Sequence, residues 1–191
     1  MNAVVLGLGS NRQLESGREV LPPAEILKAS CEKLDKLLKQ AVFSSIYITR
    51  PMYVENQCDF YNMVVGGLWN GTARELLSAT QAIEAEFGRD RSREIRNGPR
   101  SLDIDIELFG NGTINEPDLV VPHPRLMERS FVLVPLLEIL EKSADKTERD
   151  SDAFFAAADA FVPNLAALRK AQKNLPDQGV RYYGRIYGEN R

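Results

Sequence analysis

The sequence predicts an α+β protein, with helices on one face of a mainly antiparallel sheet. Two observations predict it. Apolar segments with strand-like and helix-like spacing alternate in the order β-α-β-β-α-β, and each is closed by its own turn or cap signal. Segments in that order build a ferredoxin-like sandwich.

Taken in turn, Ala3 to Gly9 reads as a buried strand that ends in a Gly-Ser-Asn turn. A long polar stretch reaches Pro23. From Ala24 to Gln40 the apolar residues Leu27, Cys31, Leu34 and Leu37 recur at helical spacing. Val42 to Thr49 alternates as a strand and stops at Arg50-Pro51, and after a loop through Gln57 a second strand runs from Phe60 to Trp69. Asn70-Gly71 marks a turn. Thr72, with Glu75 three residues on, forms a capping box that opens a helix ending near Gly88. Ser101 to Phe109 is the last strand of the pattern, stopped by Gly110-Asn111-Gly112.

Beyond the pattern come a proline turn (Val121-Pro122-His123-Pro124) and an apolar helix or turn from Phe131 to Leu140. A charged break from Glu141 to Asp152 precedes an Ala-rich helical pattern running to about Lys173, and Gly179 to Tyr187 could add a strand. The expected organisation is a catalytic domain over 1–140 and a C-terminal helical extension over 141–191, packed on the same domain.

Composition narrows the function classes. A net charge of −3 speaks against a general nucleic-acid or membrane-surface binder. The longest apolar run is far too short to span a bilayer, and no basic leader opens the chain, so the expected location is the cytoplasm. Cys31 and Cys58 lie far apart, and with a single histidine an ordinary zinc site is excluded.

Asp103-Ile104-Asp105 is the sharpest local feature. Residues two apart on a strand share a face, so both carboxylates project together while Ile104 turns to the core. Like charges so close call for a cation, and hard oxygen ligands beside polyphosphate suit Mg²⁺. Just upstream stand Arg89, Arg91, Arg93, Arg96 and Arg100, around a loop at Asn97-Gly98-Pro99. Guanidinium groups bind phosphate bidentately and stay charged, so acids and arginines together describe a Mg-nucleotide site. The Gly7-x-Gly9 turn is not a dinucleotide fingerprint, because Arg12 holds the third glycine position and no phosphate loop of the GxxxxGK[ST] type exists. Phe60 and Asn62 share a strand face, an aromatic beside an amide that could receive a flat heterocycle.

Read together, these segments resemble the 6-hydroxymethyl-7,8-dihydropterin pyrophosphokinase family of folate biosynthesis. The matching pieces fall in the family's order over roughly residues 3–140. They are Leu8-Gly9-Ser10-Asn11; Ser45 to Pro51 with Gln57, Phe60 and Asn62; and Ile83-Glu84 with Gly88 to Arg91. Gly98 to Asp105 follows, then Pro122 to Arg125 with Arg129 to Leu133 and Pro135-Leu136.

The resemblance implies a ferredoxin-like fold and transfer of pyrophosphate from ATP to the pterin's hydroxymethyl oxygen, releasing AMP. It implies two Mg²⁺ ions on Asp103 and Asp105, with Arg89 and Arg100 as catalytic phosphate contacts. Gln81, Glu84, Arg91, Arg96, His123 and Arg129 fall where the family lines its ATP site. Thr49, Pro51, Phe60, Asn62 and Phe131 match its pterin pocket. The expected partners are ATP and the pterin, with neither nucleic acid nor membrane, in a monomer or weak homodimer. Three departures stand out: a longer first loop, Tyr53 where many members carry glycine, and Asn97 where some place tryptophan. The competing reading is a non-catalytic nucleotide- or pterin-binding protein of the same fold. It leaves the full set of acids and arginines without a purpose.

Overall fold

The structure is a computed structural model, which describes residues 1–17, 19–52, 56–91, 95, 98–142, 153–158 and 165–186. Arg93, Arg96, Asn97 and Tyr53, singled out above, lie outside the described residues, as does most of the charged break.

The sheet is built from β1 (Asn2–Ser10), β4 (Lys39–Phe43), β5 (Ile46–Thr49), β6 (Phe60–Trp69), β7 (Asp103–Phe109) and β10 (Arg181–Gly184). Its order is β10-β5-β6-β1-β7, with β4 also on β6, and every described pairing is antiparallel. Two hairpins stand apart from it. One is β2 (Leu14–Ser16) with β3 (Glu19–Leu21), inside the stretch read as polar loop; the other is β8 (Ile114–Glu116) with β9 (Leu119–Val121).

Helices α1 (Pro23–Leu37) and α2 (Ala73–Glu86) cover one face. Ile26, Leu27 and Leu34 from α1, with Leu76 and Ile83 from α2, pack on Val4, Leu6, Ile104 and Ile106. The opposite face is covered too, by α3 (Ser130–Lys142), α4 (Ala153–Ala158) and α5 (Leu165–Asn174). Leu133, Leu136, Phe154 and Leu168 there meet Ala3, Val5, Val64 and Leu68. The cause is legible in β1 and β6: both are apolar at consecutive positions, so neither side of the central strands tolerates water.

Two differences from the sequence reading have their causes in packing. Helix α1 stops at Leu37, because Leu38 turns extended and Lys39 pairs with Leu68; the pairing overrides good helix-forming residues. The strand expected from Val42 to Thr49 is split at Ser44-Ser45. There the Ser44 hydroxyl accepts the Val64 amide at 2.9 Å, and the Ser45 amide and hydroxyl donate to Glu138 of α3 at 2.8 and 2.7 Å. The Ala-rich pattern forms two described helices, with 159–164 outside the described residues.

The capping box at Thr72 is formed as read. Its hydroxyl accepts the Glu75 amide at 3.2 Å, while the Glu75 carboxylate accepts the Thr72 amide at 2.7 Å. Among the described residues no helix is long and apolar enough to cross a membrane.

Candidate active site

A cavity of about 260 Å³ opens where the end of β1 meets the starts of β6 and β7, on the face shared with α3. Strand β1 divides it. Gly9 pairs with Asn62 on one side and Asp103 on the other, and Gly7 pairs with Asp105. The two glycines leave this stretch of floor without side chains. An ideal Cβ on Gly9 would stand 3.2 Å from Asn62 Oδ1, and one on Gly7 would stand 2.9 Å from Glu107 Oε1. The Gly-x-Gly of the sequence therefore makes room for side chains of its neighbours.

On the β7 side, Asp103 and Asp105 share a face while Ile104 is buried, as the alternation requires. Asp103 is held by two arginines: Arg89 donates to Oδ1, and Arg100 Nη1 donates to Oδ2 at 2.7 Å. Burial pushes its acidity down, but the guanidinium groups of Arg100 and Arg89 outweigh this and hold it below the usual carboxylate range. Asp105 is raised to about 6, first by burial and then by the charge of Asp103, against the opposing pull of Arg129. Arg129 Nη1 donates to Asp105 Oδ2 at 3.0 Å.

Glu84 anchors this corner from α2. Only 1% exposed, it accepts from Arg89, from Arg91 Nη2 at 2.6 Å and from the Ile104 amide at 2.8 Å. Burial raises its pKa, and the guanidinium of Arg89 opposes the rise. Glu84 thus reaches the site through the arginines, and does not itself line the cavity.

On the β6 side, Asn62 Nδ2 donates to Thr49 Oγ1 at 2.8 Å. The Phe60 ring lies 5.6 Å from the Arg100 guanidinium, and the Phe131 ring lies 5.5 Å from that of Arg129. Such spacings allow cation–π contact. His123 lines the cavity as well. Its Nδ1 accepts the Arg125 amide at 3.1 Å, which leaves the ring proton on Nε2. Burial, reinforced by Arg129 and Arg125, lowers its pKa to about 4.

Of the residues singled out from sequence, Thr49, Phe60, Asn62, Arg89, Arg91, Arg100, Asp103, Asp105, His123, Arg129 and Phe131 all line this one cavity. Pro51 sits half-buried beside it, between the lining residues Arg50 and Met52. Gln81 is exposed on α2 and does not line it. One residue escaped attention. Glu107 continues the row of Asp103 and Asp105, and strand alternation alone could have found it. Asn11 stands in the matching piece Leu8 to Asn11, but the motif assigned it no role, since that lies in contacts to residues 57, 58 and 100.

The donor set suits a hard divalent cation. Two carboxylates of one strand are few for calcium, but they fit Mg²⁺, which keeps several waters and takes substrate phosphates as ligands. Among the described residues no cluster of three or more acid, histidine or cysteine ligands exists, so a zinc-type cage is absent there.

The family model for 7,8-dihydro-6-hydroxymethylpterin-pyrophosphokinase (HPPK) matches residues 5–141. The chain belongs to this family. Among HPPK relatives, 2-amino-4-hydroxy-6-hydroxymethyldihydropteridine pyrophosphokinase of Bacillus subtilis is 48% identical over 112 residues, which is 57% of this chain and 66% of that protein. The enzyme of the same name from Helicobacter pylori is 37% identical over 71% of this chain and 79% of its own length. The mitochondrial folate synthesis bifunctional protein of Arabidopsis thaliana is 37% identical over 74% of this chain, yet the match spans only 24% of that longer protein. The fold of the Plasmodium falciparum HPPK-DHPS crystal structure with SDX-DHP superposes on 72% of this chain and 40% of that one. Its TM-score is 0.55 at 16% identity.

Proposed function

We propose that this HPPK-family chain transfers a diphosphate group from Mg-ATP to the hydroxymethyl oxygen of 6-hydroxymethyl-7,8-dihydropterin, releasing AMP, in folate biosynthesis. The observation that carries the proposal is the division of one cavity by β1. Asp103, Asp105 and the arginines lie on one side, and Phe60, Asn62 and Thr49 on the other, so nucleotide and heterocycle sites adjoin across two glycines.

In this reading Thr49 and Asn62 hydrogen-bond the edge of the pterin, while Phe60 and Phe131 flank its ring. Pro51 shapes the adjoining wall. Arg89, Arg91, Arg100 and Arg129 bind the triphosphate, leaving their carboxylate partners in part, and His123 offers a neutral N–H to it. Arg96 and Gln81 are assigned to the ATP side by family resemblance. Asp103 and Asp105 hold two Mg²⁺ ions, which when bound neutralise phosphate charge and orient the β-phosphate.

The alcohol oxygen bonds to the β-phosphorus in line, and the bond from that phosphorus to the α-phosphate oxygen breaks. AMP departs with the electron pair, and the alcohol proton passes to water. Positioning and charge neutralisation carry such a transfer, so no dedicated base is required.

The architecture reads as ferredoxin-like. What supports this is the strand order, β6 and β1 central with the β4/β5 strand and β7 outside, joined through α1 and α2. Residues 1–140 form the catalytic domain in this reading, with 141–191 an extension packed on it through Phe154, Ala158 and Leu168.

The test is to incubate the protein with Mg-ATP and the pterin alcohol and to identify the nucleotide released. AMP with pterin diphosphate is expected. ADP would mean ordinary phosphoryl transfer, and absence of turnover would favour a binding protein.

A further inference from the structure

Two walls of the cavity meet a turn that lies beyond the residues matching the family model, 5–141. Asp177-Gln178-Gly179 forms this turn between α5 and β10. Gly179 takes φ +68°, a conformation that suits glycine, and its amide donates to Asp177 Oδ1 at 2.8 Å. The turn so fixed faces two ways.

On the β5 side it meets Arg50, which lines the cavity next to Thr49. A Cβ on Gly179 would stand 2.6 Å from Arg50 Nε, and Arg50 Nη2 lies 3.7 Å from Asp177 Oδ2. The chain then joins the sheet: Arg181 pairs opposite Ile48, and its Nη2 reaches Asp59 Oδ2 at 3.0 Å, one residue before Phe60.

On the α3 side the Gln178 side chain makes two hydrogen bonds to one stretch of backbone. Its Nε2 donates to the Glu128 carbonyl at 2.9 Å, and its Oε1 accepts the Ser130 amide at 2.8 Å. Arg129 stands between these anchors, and its carbonyl accepts the Leu133 amide as the first bond of α3. The Ser130 amide is thus one of the N-terminal donors without a partner inside the helix, and Ser130 is only 5% exposed. Taking the Gln178 oxygen away strands a donor at a buried residue, and the backbone must shift to satisfy it.

We infer that Gln178 is a positioning residue for the heterocycle side of the cavity. Its amide fixes the backbone from which Arg129 and Phe131 leave the chain, and both side chains line the cavity, 5.5 Å apart. A small rotation of that backbone is magnified at the end of a ring, so Phe131 would no longer offer its face to a flat heterocycle. The inference rests on the proposed reading of Phe131 as one flank of the pterin.

The test is steady-state AMP release, with KM measured separately for the pterin alcohol and for Mg-ATP. Wild type, Gln178→Leu, Gln178→Glu, Phe131→Ala and the double variant of Gln178→Leu with Phe131→Ala are compared. Gln178→Leu should raise the pterin KM about tenfold and the ATP KM under about twofold, because Arg89, Arg91 and Arg100 are untouched. Gln178→Glu keeps the acceptor for Ser130 and loses the donor to Glu128, so its pterin KM should rise about threefold. In the Phe131→Ala background, Gln178→Leu should raise the pterin KM under about twofold, since the ring it acts through is gone.

A pterin KM in Gln178→Leu within about twofold of wild type would overturn the inference. So would a fall in kcat with both KM values unchanged, the mark of a smaller folded fraction and a merely structural role. Equal rises with and without the Phe131 ring would overturn it as well. Absence of turnover in the wild type would instead overturn the functional reading beneath it, a result distinct from all of these.

Discussion

Asn11 and Arg100 are joined in both directions: the Asn11 amide donates to the Arg100 carbonyl at 3.0 Å, and the Arg100 amide donates to Asn11 Oδ1 at 2.8 Å. The Asn11 side-chain nitrogen also reaches Gln57 Oε1 at 3.0 Å and the Cys58 carbonyl at 3.2 Å. A single buried amide thus fixes Arg100 and the loop leading to Phe60. Asn11→Ala should lower turnover about tenfold or more by letting Arg100 drift, and cost about 1–3 kcal/mol of stability through unpaired backbone groups. Steady-state AMP release and thermal melting check both; an unchanged turnover would remove the coupling role.

Asp103→Asn should abolish most turnover, about a hundredfold or more, with the fold intact. Asn keeps the shape but loses the charge that Arg89 and Arg100 face. Far-ultraviolet circular dichroism and the Mg²⁺ dependence of AMP release are the measurements. Near-normal activity would refute the metal assignment.

Glu84→Gln should destabilise the protein, because it takes a buried carboxylate from Arg89, itself only 8% exposed, and leaves Asp103 to balance that guanidinium. Removing one member of a buried ion pair costs about 3 kcal/mol or more. In a chain of this size that is a drop of roughly 6–12 °C in melting temperature. A shift of under about 2 °C would mean that the network relaxes without loss.

His123 is the only histidine of the chain, so its imidazole resonances can be followed without ambiguity. In the metal-free protein they should titrate at about 4, well below the ordinary 6.5. The sign follows from linkage. The unfolded chain takes up the proton first, so the stabilising contribution of neutral His123 is complete above about pH 6.5 and fades as pH falls toward about 4. A midpoint near 6.5 would contradict the half-buried, amide-capped geometry.

Phe154 is 1% exposed and packs over Gly66 of the sheet. Phe154→Ala should cost about 3–5 kcal/mol. A chain cut after residue 142 should lose solubility, because α3 alone would be left to cover the face that Phe154, Ala158 and Leu168 now share with it. A soluble, active fragment would show that the C-terminal helices are dispensable.

Much of this protein is legible along the chain. The strands β1, β6 and β7, the capping box at Thr72 and the paired acids Asp103 and Asp105 all follow from local rules of alternation and capping, which act over a few residues. The ordered motifs point to the family for the same reason. Each is a short run in which glycine, proline, arginine or aspartate is needed at a fixed offset.

Tertiary structure decided the rest. Lys39 left the helix because Leu68 was waiting on β6, and Ser45 broke its strand because Glu138 of α3 supplied an acceptor. Asn11 gained its role only when residues tens of positions away closed around it. A residue's periodicity is fixed by its neighbours in sequence, whereas its electrostatic partners are fixed by packing. The sequence therefore determined the strands, the helices and the acid pair of β7. Only the assembled sheet set two glycines between the acids and the amide and gave Arg129 two carboxylates to hold.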